Sequence, residues 1–359
     1  MKILHTYCLN HNLGDYALGI GVKNILRRFL PVELIAETNL QGQVFNEYYI
    51  ENVVNLKYDL LVIGGGGIIH GAHWPNGWFW LIEKELISKI KIPFIVYGVG
   101  YNYFEGEDGI PARGISHLKE TLLRASYFSV RNDESLERFS EIFGESVFEV
   151  PDPGFHVNLN RQFLCSEKEK FVLVQLANDK PEFRFNNDGS SNKFVADMRS
   201  VVADLAKRYK VILAPHVFED IELCESVSID IDNTEVWDFS KYAFDRVSDC
   251  LGYYELAEFV LAMRGHGQII PIAFNTPVIA LENHPKHRGL MRKLGIDDYC
   301  VSVDNPNVLD LTLSKVKLLE MTRDSYVRKL KGINSQLEGA TKDAFVTVRK
   351  SLNLSSELF

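Results

Sequence analysis

The alternation of short apolar runs with segments of helical period is the feature that most restricts what this chain can fold into. KILHTYCL (2–9), DLLVIG (59–64) and PFIVYGVG (93–100) are apolar and β-rich. Between such runs, segments like residues 16–30 place their apolar side chains on one helical face. Strands that alternate with helices predict parallel sheets covered by helices. We therefore expect an α/β fold of the doubly wound, Rossmann-like type.

One polar stretch divides the chain into two series of strands and helices. The alternation pauses in residues 151–170 and resumes with FVLVQLA (171–177), and the 359 residues suffice for two cores. We predict an N-terminal Rossmann-like domain, a second Rossmann-like domain and C-terminal helices, over residues 1–165, 166–310 and 311–359. Two such domains are expected to face a cleft. Site residues should then follow the carboxyl ends of strands.

The composition argues against several classes of protein. Acidic residues outnumber basic ones, 48 to 39, so we expect no nucleic-acid partner that binds through phosphate neutralisation. The five cysteines lack CxxC spacing and the histidines lack zinc-ligand spacing, so neither disulfides nor a metal site is expected. No apolar run approaches the roughly 18 residues of a membrane span, and the first ten residues are too polar for a secretory signal. We expect a cytoplasmic protein that uses no cofactor.

Four consecutive glycines, Gly64 to Gly67, end an apolar strand and are expected to open a loop. They lack both the Gly-Lys-Ser/Thr ending of a P-loop and the GxGxxG spacing of dinucleotide sites. Glycine permits unusual φ angles and close approach of a ligand or a second backbone, so packing and ligand binding through Gly65 and Gly66 both stay open. In the second case the chain would turn here and bring residues 70–80, including three tryptophans, to the cleft wall.

Two further strand ends carry candidate ligand-binding residues. Asn12 and Asp15 flank a glycine before a helix, where they either cap the helix or help to bind an anion or a hydroxyl-rich ligand. Arg131 ends the strand of SVRNDES (129–135) beside a helix start. It is suited to a carboxylate or phosphate ligand, or to a structural ion pair with Asp133 or Asp152.

The strongest signal is MRGHG, which follows the buried strand FVLA. Arg264 and His266 come to the strand end, and the flanking glycines leave both side chains unobstructed. A histidine that titrates near neutral pH beside an anion site is suited to general acid or base catalysis. His216 with Asp220, and Lys286 with His287, follow two other strands in the same manner. Each of these pairs either binds a ligand or belongs to a surface loop.

The ordered set NLGD, GGGG, SVRNDES, PDPGF, MRGHG and PVIAL followed by a lysine resembles the polysaccharide pyruvyl transferase family over about residues 10 to 300. The resemblance implies two Rossmann-like domains similar to GT-B glycosyltransferases. It also implies transfer of a pyruvyl group from phosphoenolpyruvate to sugar hydroxyls, as a ketal, in cell-surface polysaccharide biosynthesis. Carried over to this chain, the family's arginine is Arg131, its catalytic histidine His266 and its lysine Lys286. Many relatives have a bulky residue where this chain has Gly265.

The strand-end analysis and the resemblance together give one set of site residues. The expected catalytic residues are His266 and Arg131. The expected substrate-binding residues are Arg264, Asn12, Asp15, Gly65, Gly66, His216 and Lys286.

The implied partners are phosphoenolpyruvate and a sugar or lipid-linked oligosaccharide acceptor. The acceptor sugar, peripheral contact with the inner face of a membrane, and homo-oligomerisation stay open. A GT-B glycosyltransferase that uses a nucleotide sugar is the main alternative, because the same cleft and basic residues would bind a diphosphate. A glycan- or anion-binding protein without catalytic activity is the third interpretation.

Overall fold

The computed structural model describes residues 1–9, 12–71, 74, 76–102, 109–144, 147–159, 169–178, 190–237, 239–283 and 285–355. The chain divides into two compact units. Unit 1 comprises Met1–Asn10, Leu18–His156 and Leu337–Phe359, and unit 2 comprises His11–Ala17 and Val157–Gln336. The units therefore exchange short segments at both ends of the chain. The predicted domain bounds of 1–165, 166–310 and 311–359 did not include these exchanges.

Unit 1 contains a seven-stranded sheet in which every strand pair of the described residues is parallel. The strands are β1 Lys2–Tyr7, β2 Leu34–Asn39, β3 Leu60–Ile63, β4 Gly66–Ile69, β5 Phe94–Tyr101, β6 Tyr127–Arg131 and β7 Phe148–Val150. Their order is β2-β1-β3-β5-β6-β7, with β4 paired to β5. The longer helices are α1 Leu13–Phe29, whose first residues up to Ala17 belong to unit 2, α2 Ala112–Arg124 and α3 Ser135–Phe143. Shorter helical segments span Glu47–Tyr49, Ile50–Val54, Asn55–Lys57, Lys84–Lys89 and Pro153–His156.

The core of unit 1 lies on both faces of this sheet. Strand β3 is buried along its whole length, as expected for a central parallel strand with helices on both sides. One face packs the aromatic rings of Trp78, Trp80 and Phe45 against apolar strand residues. On the other face, Phe345 from the C-terminal helix stacks on Phe29 of α1.

Unit 2 contains a six-stranded sheet in the order β10-β9-β8-β11-β12-β13, again parallel in every described pair. The strands are β8 Phe171–Gln175, β9 Lys210–Leu213, β10 Thr234–Val236, β11 Val260–Ala262, β12 Val278–Glu282 and β13 Cys300–Ser302. The helices are α4 Ser190–Ala206, α5 Ile221–Ser228, α6 Phe239–Leu256, α7 Gly265–Ala273, α8 Pro285–Lys293 and α9 Val308–Ser351, of which the part from Leu337 onward belongs to unit 1. Short 3₁₀ turns span Phe218–Asp220 and Asp297–Tyr299.

The strand order of unit 2 reverses between β8 and β11, which is the switch point where doubly wound sheets bind ligands. The expectation of two Rossmann-like α/β sheets is confirmed. Among the described residues, no helix combines the length and apolar character that crossing a membrane requires.

Candidate active site

The strand end of β11 lies at the switch point of unit 2 and leads directly into helix α7. Arg264 is the residue before the helix, and its backbone N–H donates to the side-chain oxygen of the buried Gln175 on β8, at 2.7 Å. Gly267 packs against the same oxygen, because a Cβ at this position would lie 2.8 Å from it. The positive end of the α7 dipole is thereby fixed at the carboxyl edge of the sheet.

Asp220 connects the loops that follow three strands of unit 2. Its fully buried carboxylate accepts hydrogen bonds from Nε and Nη2 of Arg264, at 2.7 and 2.6 Å. It also accepts the backbone N–H of Asn178 after β8 and of His216 after β9, at 2.9 and 3.2 Å. The sequence placed Asp220 near His216 but did not identify it as a site residue. Its main partner, Arg264, is 44 positions away, and spacing alone gives no signal for such a pair.

His216 is fully buried and is held in a neutral state. Its Nε2 lies 2.5 Å from the hydroxyl of Tyr254. Burial lowers the pKa of His216 well below its usual range, and the nearby Arg264 and His266 lower it further. Within the described part of the chain, Nδ1 of His216 has no hydrogen-bond partner. His216 is therefore an uncharged hydrogen-bonding group beside the arginine.

His266 lies in the first turn of α7 and packs against Gly14, a residue of NLGD that belongs to the same unit. A Cβ on Gly14 would lie 2.6 Å from Nδ1 of His266, so only glycine fits without moving the imidazole. Asn12 accepts the N–H of Gly14 at 2.9 Å, and the N–H of Leu13 donates to the backbone oxygen of His216 at 3.1 Å. The NLGD segment is thus in contact with both His216 and His266.

Unit 2 contains most of the predicted site residues, including Asn12 and Asp15, which the predicted bounds had placed in the N-terminal domain. Asn12 caps the start of α1 by accepting the Gly14 N–H, and Asp15 lies in the first turn of the same helix. Lys286 belongs to α8, which follows β12, but its side chain lies outside the described residues. The arrangement places a partly exposed histidine and an arginine at one helix start.

Arg131 lies in unit 1 at the end of β6 and is enclosed by two carboxylates. Its Nε donates to Asp133 at 2.6 Å and its Nη1 to Asp152 at 3.0 Å, with side-chain exposures of 12, 11 and 2%. Burial alone would lower the pKa of Arg131, but the two carboxylates outweigh burial and raise it. The guanidinium also lies against Gly100, where a Cβ would be 2.4 Å from Nε. Both aspartates that the sequence offered as structural partners are therefore bound to it.

The four glycines do not open a loop, so that expectation is wrong. The chain passes Gly64 and Gly65 and resumes pairing with β5 as strand β4. A Cβ on Gly64 would lie 2.5 Å from the backbone oxygen of Tyr97, and one on Gly65 would lie 2.9 Å from Pro153. Packing accounts for both glycines. A substrate-binding role of Gly65 and the equally buried Gly66 stays a prediction.

Packing and ligand contact were both left open for the tryptophans after the glycines, and ligand contact is wrong for two of them. Trp78 and Trp80 are fully buried, with their rings in edge contact at 5.4 Å. Trp78 forms an antiparallel bridge with Ile69 and donates its indole N–H to His117 at 3.1 Å. This pairing places Trp78 and Trp80 in the core of unit 1. His73 lies outside the described residues.

Comparison with known families matches residues 12–285 to polysaccharide pyruvyl transferase. The chain belongs to this family. The match includes all the predicted site residues except Lys286, which lies one position beyond it. Sequence comparison with curated proteins gave no significant match.

Solved structures similar to this family member include S. aureus MnaA and two proteins described as UDP-N-acetylglucosamine 2-epimerases. The S. aureus MnaA–UDP co-structure is 14% identical, with 99% of this chain and 98% of that chain covered and a TM-score of 0.61. A putative enzyme from Listeria monocytogenes is 11% identical, with coverage of 98% and 96% and a TM-score of 0.59. The Neisseria meningitidis enzyme bound to UDP-GlcNAc is 11% identical, with coverage of 98% and 100% and a TM-score of 0.54. These similarities show the fold alone, which is GT-B-like.

Proposed function

We propose that this family member transfers a pyruvyl group from phosphoenolpyruvate to two hydroxyls of a sugar, and so forms a pyruvate ketal in the synthesis of a surface polysaccharide. The observation that carries the proposal is His266, which lies beside Arg264 at the start of α7 in a chain of this family. A titratable donor and an arginine at a helix N-terminus suit a reaction that binds an anionic substrate and moves a proton.

The proposed reaction has two steps. In the first, His266 protonates the methylene carbon of phosphoenolpyruvate while one sugar hydroxyl forms a bond to C2 and loses its proton. In the second, another hydroxyl of the same sugar bonds to C2, the C2–O bond to phosphate breaks, and the proton of this hydroxyl leaves with the phosphate. The proton of the first hydroxyl returns to His266, so the histidine is protonated again for the next cycle. Phosphoenolpyruvate and a diol thereby give a ketal and one inorganic phosphate, with no change in oxidation state.

The anion-binding role falls mainly on unit 2. The N–H groups in the first turn of α7 and the guanidinium of Arg264 would bind the phosphate or the carboxylate of the donor. Asp220 fixes Arg264 by two hydrogen bonds and so limits the directions from which the guanidinium can be approached. Two carboxylates compensate the charge of Arg131. We therefore propose that Arg131 has a structural role at a strand end of unit 1, in preference to the catalytic role that the family resemblance implies.

Release of phosphate tests the proposal against the nucleotide-sugar alternative. The purified protein is incubated with phosphoenolpyruvate and a panel of methyl glycosides and lipid-linked sugars, and in parallel with UDP-sugars and the same acceptors. We expect acceptor-dependent release of phosphate from phosphoenolpyruvate. Release of UDP in place of phosphate would identify a glycosyltransferase instead.

We further propose that the reaction needs no metal ion or other cofactor, since phosphoenolpyruvate is itself the activated donor. Among the described residues, no three His, Cys, Asp or Glu side chains are grouped as metal ligands. Addition of a chelator to the phosphate-release assay should leave the rate unchanged. A loss of rate that added Mg²⁺ or Zn²⁺ restores would overturn this part of the proposal.

A further inference from the structure

The turn that follows β9 carries an exposed aromatic ring at the carboxyl edge of unit 2. His216 and Asp220, at its two ends, are fully buried, whereas Phe218 between them is 72% exposed. Glu219, beside the phenyl ring, is exposed as well. Apolar surface kept in water contributes nothing to stability, and it becomes useful when a ligand covers it.

Hydrogen bonds tie this turn to the residues of the proposed site. The Asp220 carboxylate accepts the backbone N–H of His216, and the Asp220 N–H donates to the backbone oxygen of Val217 at 3.2 Å. The same carboxylate binds the guanidinium of Arg264. The backbone on either side of Phe218 is therefore fixed to the group that the proposed function assigns to the donor anion.

A second aromatic residue lies at the same edge of the sheet. Trp237 follows β10, which pairs in parallel with β9, and its N–H donates to the backbone oxygen of Leu213 at 2.7 Å. Its indole is partly exposed and packs against Tyr253, with ring centroids 3.8 Å apart. Two neighbouring strand ends thus present aromatic surface where doubly wound sheets bind ligands.

We propose that Phe218 and Glu219 form the sugar-acceptor subsite. The phenyl ring would cover the apolar C–H face of a pyranose, and the carboxylate would accept hydrogen bonds from its hydroxyls. The inference rests on the proposed function and assigns the acceptor to unit 2. It replaces Trp78 and Trp80 of unit 1, because both are buried in the core and cannot contact a sugar.

Four variants test this subsite: Phe218→Ala, Phe218→Trp, Glu219→Gln and Ile229→Ala. Ile229 is a matched control because it is also an apolar residue of unit 2 and is 59% exposed. It follows the C-terminus of α5, whereas the turn with Phe218 precedes the N-terminus of that helix. The acceptors are methyl glycosides, since a nitrophenyl group could itself stack on a phenyl ring. Steady-state kinetics give KM for acceptor and donor separately, and saturation-transfer NMR measures glycoside binding without turnover.

We expect Phe218→Ala to raise the acceptor KM about tenfold, as for the loss of one apolar contact, with the KM for phosphoenolpyruvate unchanged. Glu219→Gln should also raise the acceptor KM, Phe218→Trp should raise it less than Phe218→Ala because an aromatic ring is kept, and Ile229→Ala should match the parent. NMR should show glycoside saturation that Phe218→Ala removes. Equal acceptor KM and equal NMR signals in parent and Phe218→Ala would overturn the subsite, as would equal changes in both KM values.

The failure of the subsite and the failure of the proposed function give different results. If the parent protein releases phosphate with a glycoside but Phe218→Ala is indistinguishable from it, the function stands and the subsite is wrong. If the parent releases no phosphate while NMR still shows Phe218-dependent glycoside binding, the pyruvyl transfer is wrong and the sugar subsite stands. If neither phosphate release nor Phe218-dependent glycoside binding is observed, both the proposed function and the sugar subsite are wrong.

Discussion

Arg131 matches a family motif, but its described ion pairs are made within the protein to stabilise the fold. Its guanidinium is buried between Asp133 and Asp152, and Asp133 in turn accepts hydrogen bonds from Ser135 at the start of α3. The arginine therefore links the end of β6 to the start of the following helix and to Asp152, two residues after β7. Its family role and its structural role have to be separated by experiment.

Replacing Arg131 with Ala should lower the free energy of unfolding by about 3 to 5 kcal/mol, because two buried carboxylates lose their counter-charge. Chemical denaturation measures this change. Arg113→Ala is the matched control, since Arg113 pairs with Glu83 at side-chain exposures of 68 and 69% and should cost at most about 1 kcal/mol. A stable Arg131→Ala protein that has lost only its affinity for phosphoenolpyruvate would return Arg131 to the substrate site.

Gly14 is the residue whose substitution should most directly disturb His266 without removing it. A side chain at Gly14 would lie 2.6 Å from Nδ1 of the imidazole, so Gly14→Ala must displace the ring. We expect kcat to fall by about 10²-fold, the cost typical of misplacing a reacting group by about 1 Å.

Gly332→Ala is the control for this experiment. Gly332 lies in helix α9, and a Cβ added there would have no neighbouring atom within 4 Å. This substitution should leave kcat unchanged and raise the thermal midpoint slightly. Wild-type kcat in Gly14→Ala would show that the position of His266 does not limit the reaction.

The loops after β8, β9 and β11 are joined by hydrogen bonds to the Asp220 carboxylate. Replacing Asp220 with Ala should destabilise unit 2 by about 3 to 5 kcal/mol, because it leaves Arg264 without its carboxylate in a largely buried position. Asp204→Ala removes a carboxylate that is 37% exposed and pairs with Lys207, and it should cost less than about 1 kcal/mol. Similar denaturation midpoints for the two variants would show that the three loops do not depend on this carboxylate.

The elements themselves were largely predictable from the sequence, because apolar runs and helical periods are local properties of the chain. The rule that ligands bind at strand ends also selected Asn12, His216, Arg264 and His266, which the structure brings together in unit 2. The predicted domain bounds had instead placed Asn12 in the N-terminal domain. The partners of these residues could not be predicted, since the bonds of Arg264 to Asp220 and Gln175 join residues 44 and 89 positions apart.

The path of the chain after the glycines was not predictable for a related reason. Composition shows that tryptophans can either stack on a ligand or fill a core. The choice depends on the pairing of Trp78 with Ile69 and on its hydrogen bond to His117, and both are set by tertiary packing. The exchange of residues 11–17 and 337–359 between the two compact units likewise depends on long-range contacts.

For the whole molecule, buried histidines predict a dependence of stability on pH. Burial lowers the pKa of His5 to about 4, while its Nε2 contacts the backbone oxygen of Gly64. The unfolded chain binds a proton near pH 6.5 and the folded chain does not until about pH 4, so stability is complete above pH 6.5 and falls between the two values.

The contribution of His5 to this loss should reach roughly 3 kcal/mol. The free energy of unfolding of the parent and of His5→Gln, measured between pH 4 and pH 7.5, isolates it. His5→Gln should show a shallower pH dependence over this range, with a difference that shrinks as the pH falls. Parallel curves for the two proteins would show that His5 is protonated equally in the folded and unfolded states.

The mass of the sugar product reports directly whether His266 promotes pyruvyl transfer. Methyl glycosides incubated with phosphoenolpyruvate and the protein should gain the mass of one pyruvic acid less one water, with one phosphate released per ketal. In His266→Ala the rate of this gain should fall by about 10²- to 10⁴-fold, with folding unchanged. A product mass that never increases, or that increases equally fast in His266→Ala, would contradict the account.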